Sequence, residues 1–273
     1  MAYNKNVLLT GVPRSGTTLV TATMHNVPNC VALGEPDQLK TLLEASVSPE
    51  DYARRVHAFM QTTRAQIVKG AAIPITVDKE TARVASNYFR RIASGNTFQM
   101  EETYELREQV LPIQDENFTL CLKNNAQFTS CLESLSRLPE VTIVAVVRDP
   151  VACLLSWRSL NMPVSAGRLP AGERFAKPLR KIRRLEDTLL AQVKILDWFC
   201  ETFYLMRDRI RLIRYEQFIE NPGMLRAIVP VPDTHVFPQH QSMNRRPEYN
   251  FQEEEIIREY LRRHAQFVSY FYP

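Results

Sequence analysis

Small and hydroxylated residues follow the first apolar run of the chain. Val7, Leu8 and Leu9 form a short run of the kind found in a buried parallel strand, and a second apolar stretch with helical spacing begins at Leu19. The residues between them include Arg14, Ser15, Gly16, Thr17 and Thr18. A helix N-terminus presents unpaired N–H groups and the positive end of the peptide dipole, which bind phosphate or sulfate. The spacing therefore predicts an anion-binding loop.

The stretch from Gly11 to Thr18 fits the P-loop pattern G-x-x-x-x-G-K-[ST], except that Thr17 replaces the lysine. A nucleotide triphosphatase needs that lysine on the β- and γ-phosphates, so its absence argues against a P-loop kinase. Arg14 supplies a cation three residues earlier, which suits an anion with one terminal phosphate. An ordinary strand-turn-helix corner capped by hydroxyl groups is the alternative.

Two further apolar runs end in basic residues. Lys123 follows the run 119–122, and Arg148 follows the β-branched run 141–147. Strands alternate with helical patterns, which predicts the α/β class: a P-loop-like parallel sheet flanked by helices. Ligands bind at the carboxyl ends of such strands, so we expect Gly11, Lys123 and Arg148 to meet at one edge.

The length of 273 residues suits one domain with insertions, spanning 1–273. We predict a helix over 81–93. Residues 95–118 form an acid-rich insertion, interpreted either as a solvated helix face or as a pocket wall that prefers a cationic or polyhydroxylated acceptor. Residues 161–185 form an irregular, basic insertion, interpreted as a lid or as a solvated loop.

Composition narrows the class of protein. The net charge of +4 suits an anionic cofactor and is too small to favour nucleic-acid binding. No apolar run is long enough to span a bilayer, and the chain enters a core strand almost at once, so we expect a cytoplasmic protein. The five cysteines include no C-x-x-C pair and the histidines show no metal-ligand spacing, so we predict buried thiols and no metal site.

Five motifs occur in a recognisable order. They are VPRSGTT at 12–18, LGEP at 33–36, LK at 122–123, VVRDP at 146–150 and RYEQF at 214–218. The set resembles the sulfotransferases that use 3′-phosphoadenosine 5′-phosphosulfate (PAPS), and is most similar to the branch of bacterial and tyrosylprotein sulfotransferases. The resemblance covers residues 7 to about 222. It implies a sulfotransferase fold and an enzyme that transfers a sulfuryl group from PAPS.

The resemblance also implies roles for individual residues. It assigns the 5′-phosphosulfate to Arg14, Ser15, Gly16, Thr17 and Thr18, and the 3′-phosphate to Arg148 and Ser156, which Ser159 could join from one helical turn further on. It places Tyr215 near the nucleotide, and Ser242 and Arg245 where they could close over the cofactor. A guanidinium fork and a hydroxyl group suit a phosphate monoester, so chemistry agrees with the assignment of Arg148 and Ser156.

The chemistry needs cations near the breaking bond and a base for the acceptor proton. Arg14 and Lys123 are the candidate cations. Some relatives use a histidine soon after the lysine, where this chain has Asn124 and Asn125. Glu35 matches the glutamate that serves as base in the tyrosylprotein branch and is our candidate base. A helix-capping or salt-bridged carboxylate is the alternative interpretation of Glu35.

The acceptor is the least determined part of the function. We expect a small metabolite or natural product that offers a hydroxyl, amine or guanidine group, with a carbohydrate, a lipid or a peptide tyrosine as alternatives. A P-loop kinase and a catalytically inactive interaction module remain as other classes. The aromatic residues at 267–272 either pack on the core or contribute to a homodimer, and the sequence leaves both open.

Overall fold

Five parallel strands form the central sheet in a computed structural model that describes residues 5–94 and 97–273. The strands along the chain are β1 (Asn6–Gly11), β2 (Cys30–Gly34), β3 (Ala72–Asp78), β4 (Phe89–Ser94), β5 (Thr97–Glu102), β6 (Tyr104–Val110), β7 (Thr119–Lys123), β8 (Val141–Val147) and β9 (Arg211–Arg214). The spatial order in the central sheet is β2-β7-β1-β8-β9. The remaining four strands form two separate two-stranded sheets, β3 with β6 and β4 with β5. The predicted α/β class with a P-loop-like parallel sheet is confirmed.

Helices connect the strands and cover both faces of the sheet. They are α1 (Thr17–His25), α2 (Asp37–Ala45), α3 (Pro49–Val68), α4 (Ala126–Ser130), α5 (Leu132–Leu135), α6 (Pro150–Arg158), α7 (Pro170–Glu173), α8 (Lys177–Ile182), α9 (Thr188–Leu205), α10 (Tyr215–Glu220) and α11 (Glu254–His264). Short 3₁₀ helices occupy Pro163–Ala166, Pro222–Ala227, Phe251–Glu253 and Val268–Tyr270.

Side chains of β1 alternate between two apolar clusters, as the period of two in a strand requires. Val7 and Leu9 pack with Val20 of α1 and Phe218 of α10 on one face. Leu8 belongs to the larger cluster on the other face, which includes residues of α3, α6 and α9. Both faces of the sheet are therefore buried, which explains why the sequences of its strands are nearly continuous apolar runs.

Two helix starts follow the chemistry visible in the sequence. The side chain of Ser48 accepts a hydrogen bond of 3.2 Å from the N–H of Asp51, and Pro49 is the first residue of α3. At α6 the carboxylate of Asp149 accepts a bond of 2.7 Å from the N–H of Ala152, before Pro150. Each cap satisfies an N–H group that the helix leaves unpaired.

The helix predicted over 81–93 is wrong. The carboxylate of Asp78 accepts bonds from the N–H of Glu80 at 3.1 Å and of Thr81 at 2.8 Å, and Ala82 has a left-handed φ of 54°. These local bonds turn the chain back after β3, because an aspartate side chain competes with helical hydrogen bonding. The chain then enters β4, which pairs antiparallel with β5.

The acidic insertion is built from strands, so its interpretation as a solvated helix face is also wrong. β5 and β6 occupy most of it, and residues 95 and 96 lie outside the described residues. Glu105 and Glu108 lie on β6, which pairs antiparallel with β3. The β3–β6 and β4–β5 pairs, residues 72–110, are called the β-arm below.

The basic insertion is more ordered than expected, because it contains α7, α8 and a 3₁₀ helix. Leu169, Ala176 and Leu179 are buried in the larger core cluster. A guanidinium nitrogen of Arg174 donates a bond of 2.6 Å to the carbonyl oxygen of Ser46. Its basic residues lie mostly on the outside, and Met162 is the residue that it contributes to the main cavity. Its role as a lid stays a prediction.

The C-terminal residues pack on the core. Phe271 is buried, and Asp197 of α9 accepts hydrogen bonds from the N–H groups of Phe267 at 2.6 Å and Val268 at 3.2 Å. Homodimer formation stays a prediction. Within the described ranges, no helix has both the length and the apolar composition needed to cross a membrane.

Replacing Ser48 by alanine removes the cap of α3 and leaves the N–H of Asp51 without its acceptor. We expect Ser48→Ala to lower the free energy of unfolding by about 1 kcal/mol, measured by urea titration. Val47→Ala is the control, because Val47 is 86% exposed and precedes the cap. Equal effects of the two substitutions would contradict the capping role.

Candidate active site

A cavity of about 450 Å³ opens at the carboxyl ends of the central strands. Its walls include residues of the turns after β1, β2 and β8, together with Lys123 at the end of β7. The sequence-predicted residues on its wall are Arg14, Gly16, Thr17, Thr18, Glu35, Lys123, Arg148 and Tyr215. The parallel sheet therefore brings together most of the residues selected from the motifs, as expected for a doubly wound fold.

The loop after β1 has the backbone of an anion-binding turn. Arg14 and Gly16 have left-handed φ values of 68° and 93°. Gly16 precedes α1 and has no side chain to cap it, so the first N–H groups of α1 remain available to a ligand. Ser15 is fully buried, and its hydroxyl donates a bond of 3.0 Å to the carbonyl oxygen of Val146. Ser15 therefore fixes the loop onto β8, and its side chain does not line the cavity.

Two glycines of the loop are required by close contacts. A Cβ atom on Gly11 would lie 2.6 Å from both the Thr17 side chain and the carbonyl oxygen of Val146. A Cβ atom on Gly16 would lie 2.6 Å from the ring of Tyr215. Tyr215 thus packs directly on the loop, at a distance that only glycine permits.

Glu35 and Lys123 form an ion pair on the cavity wall. The side chain of Lys123 is 3% exposed and that of Glu35 is 44% exposed. The N–H of Glu35 donates a bond of 2.9 Å to the carbonyl oxygen of Lys123, so backbone and side chains both join the ends of β2 and β7. Glu35 has a left-handed φ of 52°, a strained conformation of the kind concentrated at functional sites. The salt-bridged carboxylate considered from the sequence is present, and it faces the cavity.

An aromatic residue of the β-arm supports this pair. The ammonium of Lys123 lies 5.3 Å from the ring centroid of Tyr88, whose hydroxyl contacts the backbone at Gly34. Burial and the nearby charge of Glu35 raise the pKa of Tyr88, so its phenol stays neutral. The ring of Tyr104 lies 5.0 Å from that of Tyr88 and 6.3 Å from that of Phe89.

Arg148 is 6% exposed, and its guanidinium joins two parts of the chain. It donates a bond of 2.9 Å to the carbonyl oxygen of Arg14, and a bond of 2.8 Å to Oδ1 of Asn244. It also bonds to the carbonyl oxygen of Met243, and its carbon lies 4.8 Å from the ring centroid of Tyr215. Arg148 therefore borders the cavity while holding the loop after β1 against residues 243–249.

Ser156 and Ser159 are less accessible than expected. Ser156 is 1% exposed, and its hydroxyl accepts a bond of 3.4 Å from Nε of Arg14. The hydroxyl of Ser159 donates a bond of 2.9 Å to the carbonyl oxygen of Ser156. The structure brings Ser156 next to Arg14, and neither serine lines the cavity.

Ser242 and Arg245 also lie outside the cavity wall. The guanidinium of Arg245 stacks over Phe251 at 5.7 Å, in a separate depression beside Asp149. Their neighbours line the cavity instead, namely His240, Gln241, Met243, Arg246 and Tyr249. The N–H of Met243 donates a bond of 2.9 Å to the hydroxyl of Tyr215, which fixes this segment at the cavity edge.

Several cavity residues were missed in the sequence. Ser86, Asn87, Tyr88, Phe89 and Tyr104 come from the β-arm, and Met162 comes from the basic insertion. The sequence shows aromatic residues near 88, but the incorrect prediction of a helix over 81–93 gave no reason to place them at the cavity. The acidic residues of the insertion do not line the cavity, so they do not form the acceptor wall considered from the sequence.

The remaining predicted absences concern metals and disulfides. All five cysteines are buried and free, and burial raises the pKa of Cys30, Cys131 and Cys153 to about 12. Among residues 5–94 and 97–273, no group of three or more His, Cys, Asp or Glu side chains is arranged to hold a metal ion.

A helix N-terminus that follows a tight loop at the carboxyl end of a parallel sheet is an arrangement in which proteins commonly bind phosphate or sulfate groups. A family model described as "Sulfotransferase family" matches residues 6–230. The chain therefore belongs to this family, and sulfuryl transfer is its general activity. The resemblance stated from the motifs is confirmed.

Comparison with solved structures finds sulfotransferases at low sequence identity. Sulfotransferase STF1 from Mycobacterium tuberculosis H37Rv is 14% identical with a TM-score of 0.41, and the match covers 95% of this chain and 77% of STF1. The sulfotransferase domain from the curacin biosynthetic pathway is 14% identical with a TM-score of 0.45, covering 89% of this chain and 82% of that domain. A comparison with curated proteins finds no match.

Comparing alanine substitutions at Gly16 and Gly70 separates two effects on stability, the contact with Tyr215 and the backbone strain of a left-handed φ. Gly70 also has a left-handed φ of 70°, but a Cβ atom there meets nothing within 4 Å. We expect Gly70→Ala to lower the free energy of unfolding by roughly 1–2 kcal/mol through backbone strain alone. Gly16→Ala should cost a further ~1–3 kcal/mol, because the new methyl group overlaps the ring. Denaturant titration measures both, and equal losses would show that the contact with Tyr215 is not tight.

Proposed function

We propose that this protein transfers the sulfuryl group of PAPS to a hydroxyl, amine or guanidine group of a small metabolite or natural product. The observation that carries the proposal is the arrangement around one cavity of an uncapped helix N-terminus, the cation Arg14, and the Glu35–Lys123 pair. A sulfotransferase needs these three elements: a site for an anionic donor, cations near the breaking bond, and a base for the acceptor.

The donor site fits a phosphosulfate. The N–H groups at the start of α1 and the side chains of Thr17 and Thr18 supply donors for anionic oxygens. Bound PAPS would supply a sulfuryl group on a phosphate that leaves readily. Arg14 and Lys123 stabilise the charge that builds on the bridging oxygen as the sulfur–oxygen bond breaks.

Glu35 is the proposed base. In the transfer, the acceptor oxygen or nitrogen forms a bond to sulfur, its proton moves to the carboxylate of Glu35, and adenosine 3′,5′-bisphosphate leaves. The ion pair with Lys123 keeps the carboxylate on the cavity wall and compensates the buried ammonium, which is costly to leave alone. Lys123 therefore has two roles in the proposal: it holds the carboxylate of Glu35 in place, and it stabilises the negative charge on the leaving phosphate.

The cavity favours a small acceptor. Its volume of about 450 Å³ must hold part of the nucleotide as well as the acceptor. Tyr88, Phe89 and Tyr104 form its wall on the Glu35 side, which suits the flat or apolar face of a small molecule. Carbohydrates, lipids and tyrosine peptides are the alternative acceptors. An assay of PAPS turnover with each of these compounds tests them.

The chain lacks the residues that P-loop enzymes normally use for phosphoryl transfer from ATP. Thr17 replaces the P-loop lysine, and Asp149, the residue that most resembles a metal-binding aspartate after a strand, uses its carboxylate to cap α6. An inactive interaction module would not need the strained Glu35 or its buried partner, which argues for catalysis. The buried thiols suit a reducing compartment, so we keep the cytoplasmic location as part of the proposal.

Glu35→Gln tests the base, because glutamine keeps the shape of the side chain and removes the proton acceptor. We expect the turnover of PAPS to fall by about 10²–10⁴-fold. Calorimetric affinity for adenosine 3′,5′-bisphosphate should stay within experimental error of wild type. Glu44→Gln, an exposed position at the end of α2, is the control and should retain turnover. Unchanged turnover in Glu35→Gln would remove Glu35 from the mechanism.

Arg148→Lys tests the 3′-phosphate assignment, because lysine keeps the charge but loses the planar fork. We expect wild type to bind adenosine 3′,5′-bisphosphate more tightly than adenosine 5′-phosphate or ATP. In Arg148→Lys the bisphosphate should bind more weakly by about 1.5–3 kcal/mol, and adenosine 5′-phosphate should change little. Arg262→Lys on the exposed face of α11 is the control. A preference for ATP in wild type would contradict the proposed function.

A further inference from the structure

The carboxylate of Glu216 joins three segments that are distant in sequence. Its Oε1 accepts hydrogen bonds from the N–H of Asp149 at 3.0 Å and from Nδ2 of Asn244 at 2.8 Å. Its Oε2 accepts a bond of 2.6 Å from the hydroxyl of Tyr272. One carboxylate therefore connects the turn after β8, the segment at the cavity edge and the C-terminal residues.

Asn244 extends this connection to the cavity. Its Oδ1 accepts the bond of 2.8 Å from Nε of Arg148, while its Nδ2 donates to Glu216. The amide can satisfy both charged neighbours in one orientation only, with its oxygen toward the guanidinium and its nitrogen toward the carboxylate. Glu216 thus sets the orientation of Asn244, and Asn244 sets the position of Nε in Arg148.

The same segment carries groups that line the cavity. The carbonyl oxygen of Met243 accepts a bond from Arg148, and its N–H donates to the hydroxyl of Tyr215. Met243, Arg246 and Tyr249 all border the cavity. A shift of Asn244 would therefore displace Arg148 and the cavity edge together.

Tyr272 contacts Arg214 in addition to Glu216. Its ring lies 5.3 Å from the guanidinium carbon of Arg214, and burial together with the charge of Glu216 raises the pKa of its phenol. Burial raises the pKa of Glu216, but the bonds from Tyr272, Asn244 and the N–H of Asp149 outweigh burial and lower it overall. Glu216 is therefore ionised at neutral pH, and its bond to the neutral phenol is charge-assisted.

We propose that Tyr272 and Glu216 are positioning residues for recognition of the nucleotide's 3′-phosphate. They act through Asn244, which orients the guanidinium of Arg148 and holds residues 243–249 at the cavity edge. This inference rests on the proposed function, because it takes Arg148 as the 3′-phosphate ligand. It adds that a tyrosine in the C-terminal segment, outside the matched range 6–230, tunes the affinity for the donor.

Tyr272→Phe removes the hydroxyl group alone and is the principal test. Calorimetry compares the binding of adenosine 3′,5′-bisphosphate with that of adenosine 5′-phosphate, which lacks the 3′-phosphate. We expect the bisphosphate to bind about tenfold more weakly in Tyr272→Phe, and adenosine 5′-phosphate to bind as in wild type. The KM for PAPS should rise by a similar factor while kcat stays unchanged.

Tyr270→Phe is the matched control, because it makes the same change two residues earlier. Tyr270 is 56% exposed and stacks on Tyr204, away from Glu216. It should bind both nucleotides as wild type does. Thermal unfolding of both variants shows whether any difference in binding is accompanied by a loss of stability.

A double substitution tests the route of the effect. If Tyr272 acts through Asn244, the variant Tyr272→Phe/Asn244→Ala should bind the bisphosphate no more weakly than Asn244→Ala alone. Additive losses would overturn the proposed route, and equal losses for both nucleotides would reduce Tyr272 to a structural role. Tighter binding in Tyr272→Phe would show instead that residues 243–249 obstruct the site.

The same experiment separates this inference from the proposed function. A wild-type protein that prefers the bisphosphate, combined with a Tyr272→Phe variant that keeps that preference, overturns the role of Tyr272 alone. A wild-type protein with no preference for the 3′-phosphate overturns the assignment of Arg148, and the inference with it.

Discussion

The common direction of the five central strands is the constraint on which the site depends. Because all five run parallel, the residues that follow them meet at one edge of the sheet, and both faces are left to helices. The loop before α1, Glu35 after β2, Lys123 at the end of β7 and Arg148 after β8 come to the same edge for this reason. An antiparallel arrangement of the same strands would send alternate residues to the opposite edge.

Buried charges then connect the parts that this geometry brings together. Lys123 is almost fully buried and depends on Glu35, and Arg148 is buried among carbonyl oxygens, Asn244 and Tyr215. A buried cation is stable only when its donors are occupied, so each of these side chains fixes the segments that supply its acceptors. The positions of Glu35, of the loop at Arg14 and of residues 243–249 follow from these two cations.

The two sides of the cavity have different origins. The loop, Arg148 and Tyr215 belong to the central sheet and its connections, whereas Tyr88, Phe89 and Tyr104 belong to the β-arm between β2 and β7. The contact of Tyr88 with Gly34 and Lys123 joins the arm to the sheet. In the proposed reaction this division separates donor binding on the sheet from acceptor contact on the arm.

The sequence alone predicted the parallel sheet, the loop before α1 and the basic residues Lys123 and Arg148 at the strand ends, because these follow from short-range patterns of apolar runs and the residues that end them. Glu35 became a candidate through the resemblance of the LGEP motif to a family pattern. Prediction from the sequence failed over 81–93, where hydrogen bonds at Asp78 replaced a helix by a turn and a strand. Only the tertiary structure decided that Arg246 and not Arg245 lines the cavity, that Ser156 is buried, and that Tyr272 reaches Glu216. Such outcomes depend on packing between segments far apart in the chain, and no local pattern of residue types encodes them.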